Sequence, residues 1–378
     1  MPDNGDARGP MACPREMLGS LVEMANAVFH SGMGDEFPHL FCEENIENCR
    51  IFVEGGRVVS HIGYTVSDAT VLGAPLRVAC LGAVGTYEEC RGRGFATASF
   101  ADCLSGMERQ GVHVLMVSGD RNLYRRNHCM KVGREHGATV DAACAAKLAR
   151  KDLALSPVGE PGIDAIIDIH RREPVRFLRG RDFWLKTLSW LKSQNRGGEV
   201  LAVGRSGGEP EAYVVSGKNR DGLARVIEYG GDRAAVAGVL AAVIERAGAK
   251  QTSLHVPRWD APMLGILKGA GADVKDSNAT GTHRIVRFID MMERLRPLFA
   301  ERTGSKDAAG LKFAESGERF KFSLAGSELV LPDRDELVRT VYGTIDNSER
   351  SALKGSPVGK ALARCFPIPA LSYGTSYV

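Results

Sequence analysis

The segment Cys80-Leu-Gly-Ala-Val-Gly-Thr-Tyr-Glu-Glu-Cys-Arg-Gly-Arg-Gly-Phe-Ala-Thr97 constrains the fold more than any other. An apolar strand, Leu76–Thr86, ends where a glycine-rich turn, Arg91-Gly92-Arg93-Gly94, leads directly into a helix read as Phe95–Gln110. Phe100, Cys103, Leu104 and Met107 repeat at i, i+3, i+4, i+7, so that helix buries one face. A continuous apolar strand, Val112–Val117, follows. The glycines let backbone approach a ligand closely, and the first N–H groups of the helix have no partner inside it. With the positive end of the helix dipole added, the turn is suited to a pyrophosphate. It is neither G-x-G-x-x-G nor a P-loop, because no Gly-Lys-Ser/Thr follows. The plainer alternatives are a basic surface loop or an RNA-binding Arg-Gly patch.

Around this segment the chain divides into three blocks. In the first, an amphipathic helix Met17–Phe29 precedes strands at Arg50–Val53, Val58–Val66 and Leu76–Thr86, with a turn at Gly55–Gly56. After Val117 a short helix is expected near Asn122–Cys129, then strand to about Ala142. The second block begins near Ser156-Pro157. It has helices at Ile163–Arg171 and Asp182–Leu191, strands at Val200–Gly204, Glu211–Ser216 and Ala224–Tyr229, and a long helix Arg233–Ala247. A strand Ser253–Val256, a helix near Met263–Lys268 and a strand His283–Ile289 complete it. The two blocks run in similar order and read as a degenerate structural repeat. In the third, Arg302–Gly310 reads as a loop, Phe320–Leu324 as a strand and Pro332–Tyr342 as a helix. A chain of 378 residues fits two or three domains at ~100–200 residues each.

Composition excludes several classes. Lys+Arg 49 against Asp+Glu 46 leaves +3, without the basic excess of a nucleic-acid or polybasic membrane binder. No apolar run reaches the ~18–20 residues of a membrane span. The start, MPDNGDARGPMAC, reads as a short disordered leader and not a secretory signal. Nine cysteines with no C-x-x-C pair argue against structural zinc and a disulfide framework, and fit a cytoplasmic protein.

Two further features bear on chemistry. Gly119-Asp120-Arg-Asn-Leu-Tyr124 follows directly after the buried strand, so Tyr124 either packs against the sheet or presents its phenol as a proton donor. The stretch FPIPALSYGTSYV is apolar up to Val378, unlike a frayed terminus, and reads as docked. Its α-carboxylate would then sit at a fixed point, although docking for packing alone is the plainer reading. Asp35, Glu36, Glu43 and Glu44 either suit a cationic acceptor or merely begin a helix. His30 and His39 flank a Gly-rich loop, Ser31-Gly-Met-Gly34, that could line an acceptor site, but they and His61 read first as loop or core residues, and Trp184, Trp190 and Trp259 as core.

Arg91-x-x-Gly94-x-Ala96 resembles the R/Q-x-x-G-x-G/A signature of the GNAT superfamily of N-acetyltransferases, and the flanking strands and helix fall where that superfamily has them. Over the chain after the leader, the plan resembles the enhanced-intracellular-survival branch. The resemblance implies an α/β (α+β) fold: a GNAT domain over 1–150, a degenerate GNAT-like mixed-sheet domain over 151–290, and a sterol-carrier-like domain over 291–378. It implies acetyl-CoA as co-substrate with no metal, contacted by Val84, Gly85, Thr86, Arg91, Gly92, Arg93, Gly94, Phe95, Ala96, Thr97, Gly119 and Asp120. Tyr124 would be general acid and the Val378 carboxylate general base. The implied reaction is direct acetyl transfer to a primary amine of a small molecule or peptide, with no nucleic-acid or membrane partner. The branch also implies a homo-oligomer, a hexamer being the form it points to. A rival from another class is a catalytically silent acyl-CoA sensor on the same scaffold. The run after Tyr124 lacks the aromatic and glycine that relatives carry, so no acceptor preference is carried over. The second block has only Glu228-Tyr-Gly-Gly-Asp232 before its long helix, which argues against a coenzyme site there.

Overall fold

The computed structural model describes residues 7–192, 197–344, 353 and 355–377. They form two units. One comprises 1–132, 280–368 and 376–378, the other 133–279 and 369–375.

In the first unit six strands lie in the order Arg8–Ala12, Cys49–Glu54, Arg57–Val71, Ala74–Thr86, Val114–Val117, Thr282–Ile285. Two-residue turns make the hairpins. Gly55-Gly56 and Leu72-Gly73 all have positive φ, the geometry that matches strand twist across a tight loop. All neighbours are antiparallel except Ala74–Thr86 and Val114–Val117, which pair in parallel only from Val78–Leu81 to Val114–Val117. The helix Phe95–Arg109 crosses between those two strands and buries Phe95, Ser99, Phe100, Cys103, Gly106 and Met107. Gly106 is needed there, since a Cβ would stand 2.6 Å from the Tyr64 hydroxyl.

Three expectations are corrected in this unit. The supposed leader is a strand from Arg8, paired with Cys49–Glu54. Its short, non-alternating sequence carries no periodic signal, and backbone pairing alone recruits it. The strand expected to run to Ile289 ends at Ile285, and Phe288–Arg294 is helical. Arg302–Gly310 is not a loop: helices Arg296–Thr303 and Ser305–Gly310 meet at Gly304, whose φ of +89° turns the chain between them. A small antiparallel sheet, Lys312–Ser316, Arg319–Leu324 and Ser327–Leu331, packs Phe313, Phe320 and Phe322 against Phe288.

The second unit repeats the pattern, and the fold as a whole is mixed α/β. Its strand order is Asp273–Ser277, Glu135–Asp141, Gln251–Pro257, Leu223–Gly231, Ala212–Arg220, Glu199–Gly204, Ala154–Pro157. Again one pair is parallel, Leu223–Val226 with Gln251–Leu254. Each sheet thus carries one short parallel ladder, and the strand beyond it comes from a distant part of the chain. The long helix expected over Arg233–Ala247 is two helices, Arg233–Gly238 and Leu240–Arg246. The carbonyl of Gly238 accepts from the Arg150 N–H at 3.0 Å, which diverts it from its own helix. Trp184 and Trp190 are core.

Candidate functional site

The parallel ladder of the first unit stops at Leu81 and Val117, but the strand Ala74–Thr86 continues, held only by its other neighbour. Among the described residues, 82–86 therefore present a strand edge with no strand partner on the side facing the end of Val114–Val117. A β-bulge shapes this edge. His61 pairs with Gly85 and Gly63 with Gly82, leaving Ala83 and Val84 opposite no residue in the register. Ala83 takes φ +49°. The ring of His61 holds the bulge: its Nδ1–H donates to the Ala83 carbonyl at 2.9 Å. Burial depresses the His61 pKa to about 4, so the ring is neutral. The Ser60 hydroxyl donates to the Gly85 carbonyl at 3.3 Å and lies 2.8 Å from the Thr86 hydroxyl.

Beyond Thr86 a 3-10 turn, Glu88–Cys90, delivers the chain to Arg91. Gly92 and Gly94 have φ +79° and +81°, and a Cβ on either would enter open space. Gly94 is the residue before the helix and supplies no side-chain cap. The N–H groups of Phe95, Ala96 and Thr97 are the unpaired first turn. The two arginines differ. Arg93 makes a two-pronged pair with Glu54 at 2.8 and 2.9 Å and lies 4.7 Å from the Phe95 ring centroid. That pairing holds the Glu54 carboxyl below its usual range. Arg91 is exposed and, among the described residues, reaches only the Thr86 carbonyl, at 3.4 Å. Arg93 fastens the turn to the sheet, while Arg91 is oriented by one weak contact.

On the other side, Tyr124 sits in a single helical turn, Asn122–Arg125, and is buried. Its ring fits over Gly119, where a Cβ would stand 2.8 Å from Tyr124 Cε2. The phenol makes no hydrogen bond with another described residue. Burial raises its pKa, Arg121 opposes this, and Cys129 and Tyr377 add to it, so the phenol is protonated at neutral pH. Asp120 does not face a ligand freely: Arg125 grips it at 2.8 Å through two bonds and Lys131 at 2.7 Å, which holds its pKa well below the carboxylate range. The strand Thr282–Ile285 braces this loop. Thr282 Oγ1 donates to the Gly119 carbonyl at 3.0 Å and Arg284 to the Asn127 carbonyl at 2.6 Å.

The C-terminal segment is buried at Phe366, Ile368, Leu371 and Tyr373. Tyr377 lies 6.3 Å, ring to ring, from Phe37, and near enough to Tyr124 to influence its titration. Val378 lies outside the described residues. Near Phe37, Glu36 is buried with His30 Nε2 at 3.3 Å, Glu43 pairs with Arg15, and Asp35 is exposed. Cys129 is pushed up to about 12 by burial, and Cys90 is raised by burial and Glu54, so both thiols are protonated.

The sequence reading missed Ser60, Glu54, Thr282 and Arg284, and it weighed His61 only as a core residue. Glu54 and Ser60 lie in strands whose alternation marks a face but not a partner. Thr282 lies over 160 residues from Gly119, with no local signal linking them. Among the described residues, no three His, Cys, Asp or Glu side chains gather as a metal site, and no helix is long and apolar enough to cross a membrane. The bulged edge and the glycine turn fit a coenzyme with an amide-bearing arm and a pyrophosphate: one offers strand-type bonds, the other free N–H groups.

Residues 18–127 match the model of the acetyltransferase (GNAT) domain. No curated protein matches the chain by sequence. Among solved structures, the fold is similar to an Enterococcus faecalis protein titled a probable N-acyltransferase, with TM-score 0.67 and 14% identity, over 96% of this chain and 98% of that one. It is also similar to a GCN5-related N-acetyltransferase from Anabaena variabilis, with TM-score 0.67 and 15% identity, over 95% and 96%. Eis1 from Mycobacterium abscessus aligns with TM-score 0.64 and 13% identity, over 99% and 100%. Residues 18–127 are thus similar to an acetyltransferase (GNAT) domain, and that match supports acyl transfer in general.

Proposed function

We propose that this protein is an acetyl-CoA-dependent N-acetyltransferase, transferring the acetyl group directly to a primary amine of a small molecule or peptide. The observation that carries the reading is the divergence of two parallel strands, with the bulged edge and Gly94 turn on one side and Tyr124 on the other. Bound acetyl-CoA would supply an activated thioester carbonyl. Val84, Gly85 and Thr86 would hold the coenzyme's arm, and Gly92 to Thr97 its pyrophosphate, with Arg91 free to reach it. Gly119 lets the Tyr124 ring close over the strand end, and Asp120 keeps that loop in place.

In the proposed reaction the amine nitrogen attacks the thioester carbon, and the Val84 N–H stabilises the oxyanion that forms. The carbon–sulfur bond breaks, Tyr124 protonates the departing sulfur, and the Val378 carboxylate takes the proton lost by nitrogen. The raised Tyr124 pKa supports the acid role, because the phenol carries its proton at neutral pH. The position of Tyr377 beside Phe37 supports the base role. Cys90 and Cys129, both held as thiols, offer no covalent alternative. The exposed Asp35 suits a cationic acceptor. Membership of the enhanced-intracellular-survival branch, a sterol-carrier-like region over 291–378, a cytoplasmic location and a homo-oligomer, with a hexamer to test for, belong to the same proposal.

The test is unfolding temperature against acetyl-CoA concentration, followed by an amine screen. Binding at a hundredfold excess over Kd adds ~2.7 kcal/mol, so the shift is large and keeps growing with the logarithm of concentration. Gly94→Leu should abolish it. Tyr124→Phe, and extension of the chain beyond Val378, should leave the shift intact and cut turnover. A protein that binds acetyl-CoA but acetylates no amine would be the sensor instead.

A further inference from the structure

The end of the chain makes a detour. Residues 369–375 belong to the second unit, while 376–378 belong to the first, as does the segment up to Ile368. Docking an apolar end for packing alone needs no such detour, since Phe366 and Ile368 are already buried before it begins. What the second unit offers these seven residues is a buried ion pair. Arg179 follows the strand Val175–Phe177, and Glu228 lies in the strand Leu223–Gly231. Their side chains are only 2% and 12% exposed. Arg179 Nη1 donates to both Glu228 carboxylate oxygens, at 2.7 and 2.8 Å, and the Tyr213 hydroxyl donates to the same carboxylate at 2.7 Å. The guanidinium carbon lies 5.7, 5.1 and 5.6 Å from the ring centroids of Phe177, Phe183 and Trp184, so aromatic faces flank the cation.

The pair is turned toward the backbone of the tail. The Thr375 N–H donates to Glu228 Oε2 at 3.0 Å, and Arg179 Nη2 donates to the Tyr373 carbonyl at 3.2 Å. Between them Gly374 takes φ +50°, and a Cβ there would run into the Glu228 carboxylate. Three successive residues of the tail are thus matched to the pair by an acceptor, a glycine and a donor. Burial pushes the Glu228 carboxyl up, but Arg179, His170 and the Thr375 N–H bring it down to about 2, so it is ionised at neutral pH. A buried ion pair adds little stability of its own, because desolvation offsets most of its attraction. Bonds from such a pair to backbone 147 and 194 residues away specify a position instead. From Thr375 to Tyr377 is two residues, at most ~7 Å of chain. Tyr377 stands beside Phe37 in the first unit and acts on the titration of Tyr124. So short a connection cannot absorb a shift at the clamp.

We propose that Arg179 and Glu228 are positioning residues for acyl transfer: by clamping the backbone of 373–375 they set where the last three residues lie, and with them the terminal carboxylate. They act through the tail and not on the reacting atoms. The proposal rests on the acyl-transfer reading, with that carboxylate as general base.

The test uses the full-length protein and two variants. Gly374→Ala sets a methyl against Glu228 and displaces the tail while keeping both members of the pair. Arg179→Met combined with Glu228→Leu removes the clamp without leaving a lone buried charge. Digestion by carboxypeptidase A, followed by intact mass, reads whether the tail is held: both variants should lose Val378 and Tyr377 at least about tenfold faster than the unaltered protein. Turnover reads the consequence. In both variants kcat should fall about a hundredfold, as a shift of about 1 Å does, with KM for acetyl-CoA and its thermal shift unchanged. Arg179→Lys keeps the charge but not the fork that spans Glu228 and Tyr373, and its kcat should fall between. In a chain extended beyond Val378, where the carboxylate is already displaced, Gly374→Ala should lower kcat by no more than about twofold, because residues that act as a unit are not additive. Unchanged digestion, unchanged kcat in both variants, or the same hundredfold loss in the extended chain would each overturn the positioning role and leave the acyl-transfer reading standing. If the unaltered protein acetylates no amine, that reading falls and the positioning role falls with it, while digestion still reports whether the clamp holds the tail.

Discussion

Two residues show how much of the candidate site depends on a single side chain or its lack. Gly119 does not have a positive φ, so alanine there costs no backbone strain, but its Cβ would stand 2.8 Å from the Tyr124 ring. Gly119→Ala should displace that ring and lower kcat about tenfold or more, as misplacement of reacting groups by fractions of an ångström does. Steady-state kinetics checks this, and the acetyl-CoA thermal shift should persist. His61 acts through stability as well as geometry. Its pKa is about 4 in the folded protein against 6.5 ordinarily, as is that of His170, buried in the second unit. The unfolded chain takes up these protons first as pH falls. The stability they contribute is whole above pH 6.5 and is lost on the way down through pH 4. Each should account for roughly 2 kcal/mol of loss between pH 7 and pH 5. His61→Asn should remove about half of that acid sensitivity, measured by denaturant unfolding at the two pH values.

Strands, helices and turns decide what each cleft can accept. Both units build one parallel ladder, let its strands part, and start a helix beside the opening. What differs is the residue before the helix: Gly94 offers no side-chain cap, and Asp232 accepts from the Ala235 N–H. The strand Thr282–Ile285 holds the Tyr124 loop from outside it, in addition to the Asp120 pairs within it. Thr282→Val removes the bond to the Gly119 carbonyl. A cost of about 1 kcal/mol is expected, visible as a lowered unfolding temperature. A fall in kcat with unchanged KM for acetyl-CoA should accompany it, because the loop and not the glycine turn is disturbed.

At the scale of the molecule, most of the second unit, residues 133–279, is inserted in the first, and 369–375 is a second, short excursion. Met130 and His283 exchange backbone bonds at 2.8 and 2.9 Å, so the chain leaves and re-enters the first unit at adjacent points. Replacing residues 133–279 by a flexible linker of about four residues should leave a folded first unit that still shifts its unfolding temperature with acetyl-CoA. Circular dichroism and thermal scans would check this. Residues 1–132 alone should be insoluble, since Val114–Val117, buried on both faces, would become an unprotected sheet edge.

The sequence by itself determined most of the longer helices and strands of the two sheets, and the place of the glycine turn between a strand and a helix. Periodicity and turn residues marked Leu18–Val28, Phe95–Arg109 and the hairpin at Gly55-Gly56, and the spacing Arg91-x-x-Gly94 marked a glycine turn opening a helix, because those signals are local and written in neighbouring residues. Tertiary structure decided the rest. The bulge at Ala83 depends on a histidine from the adjacent strand, the Tyr124 loop on a strand over 160 residues away, and the orientation of Arg93 on Glu54. Hydrogen bonds and ion pairs of this kind are properties of approach in space. A sequence records each donor and acceptor, but not which of them folding will bring within 3 Å.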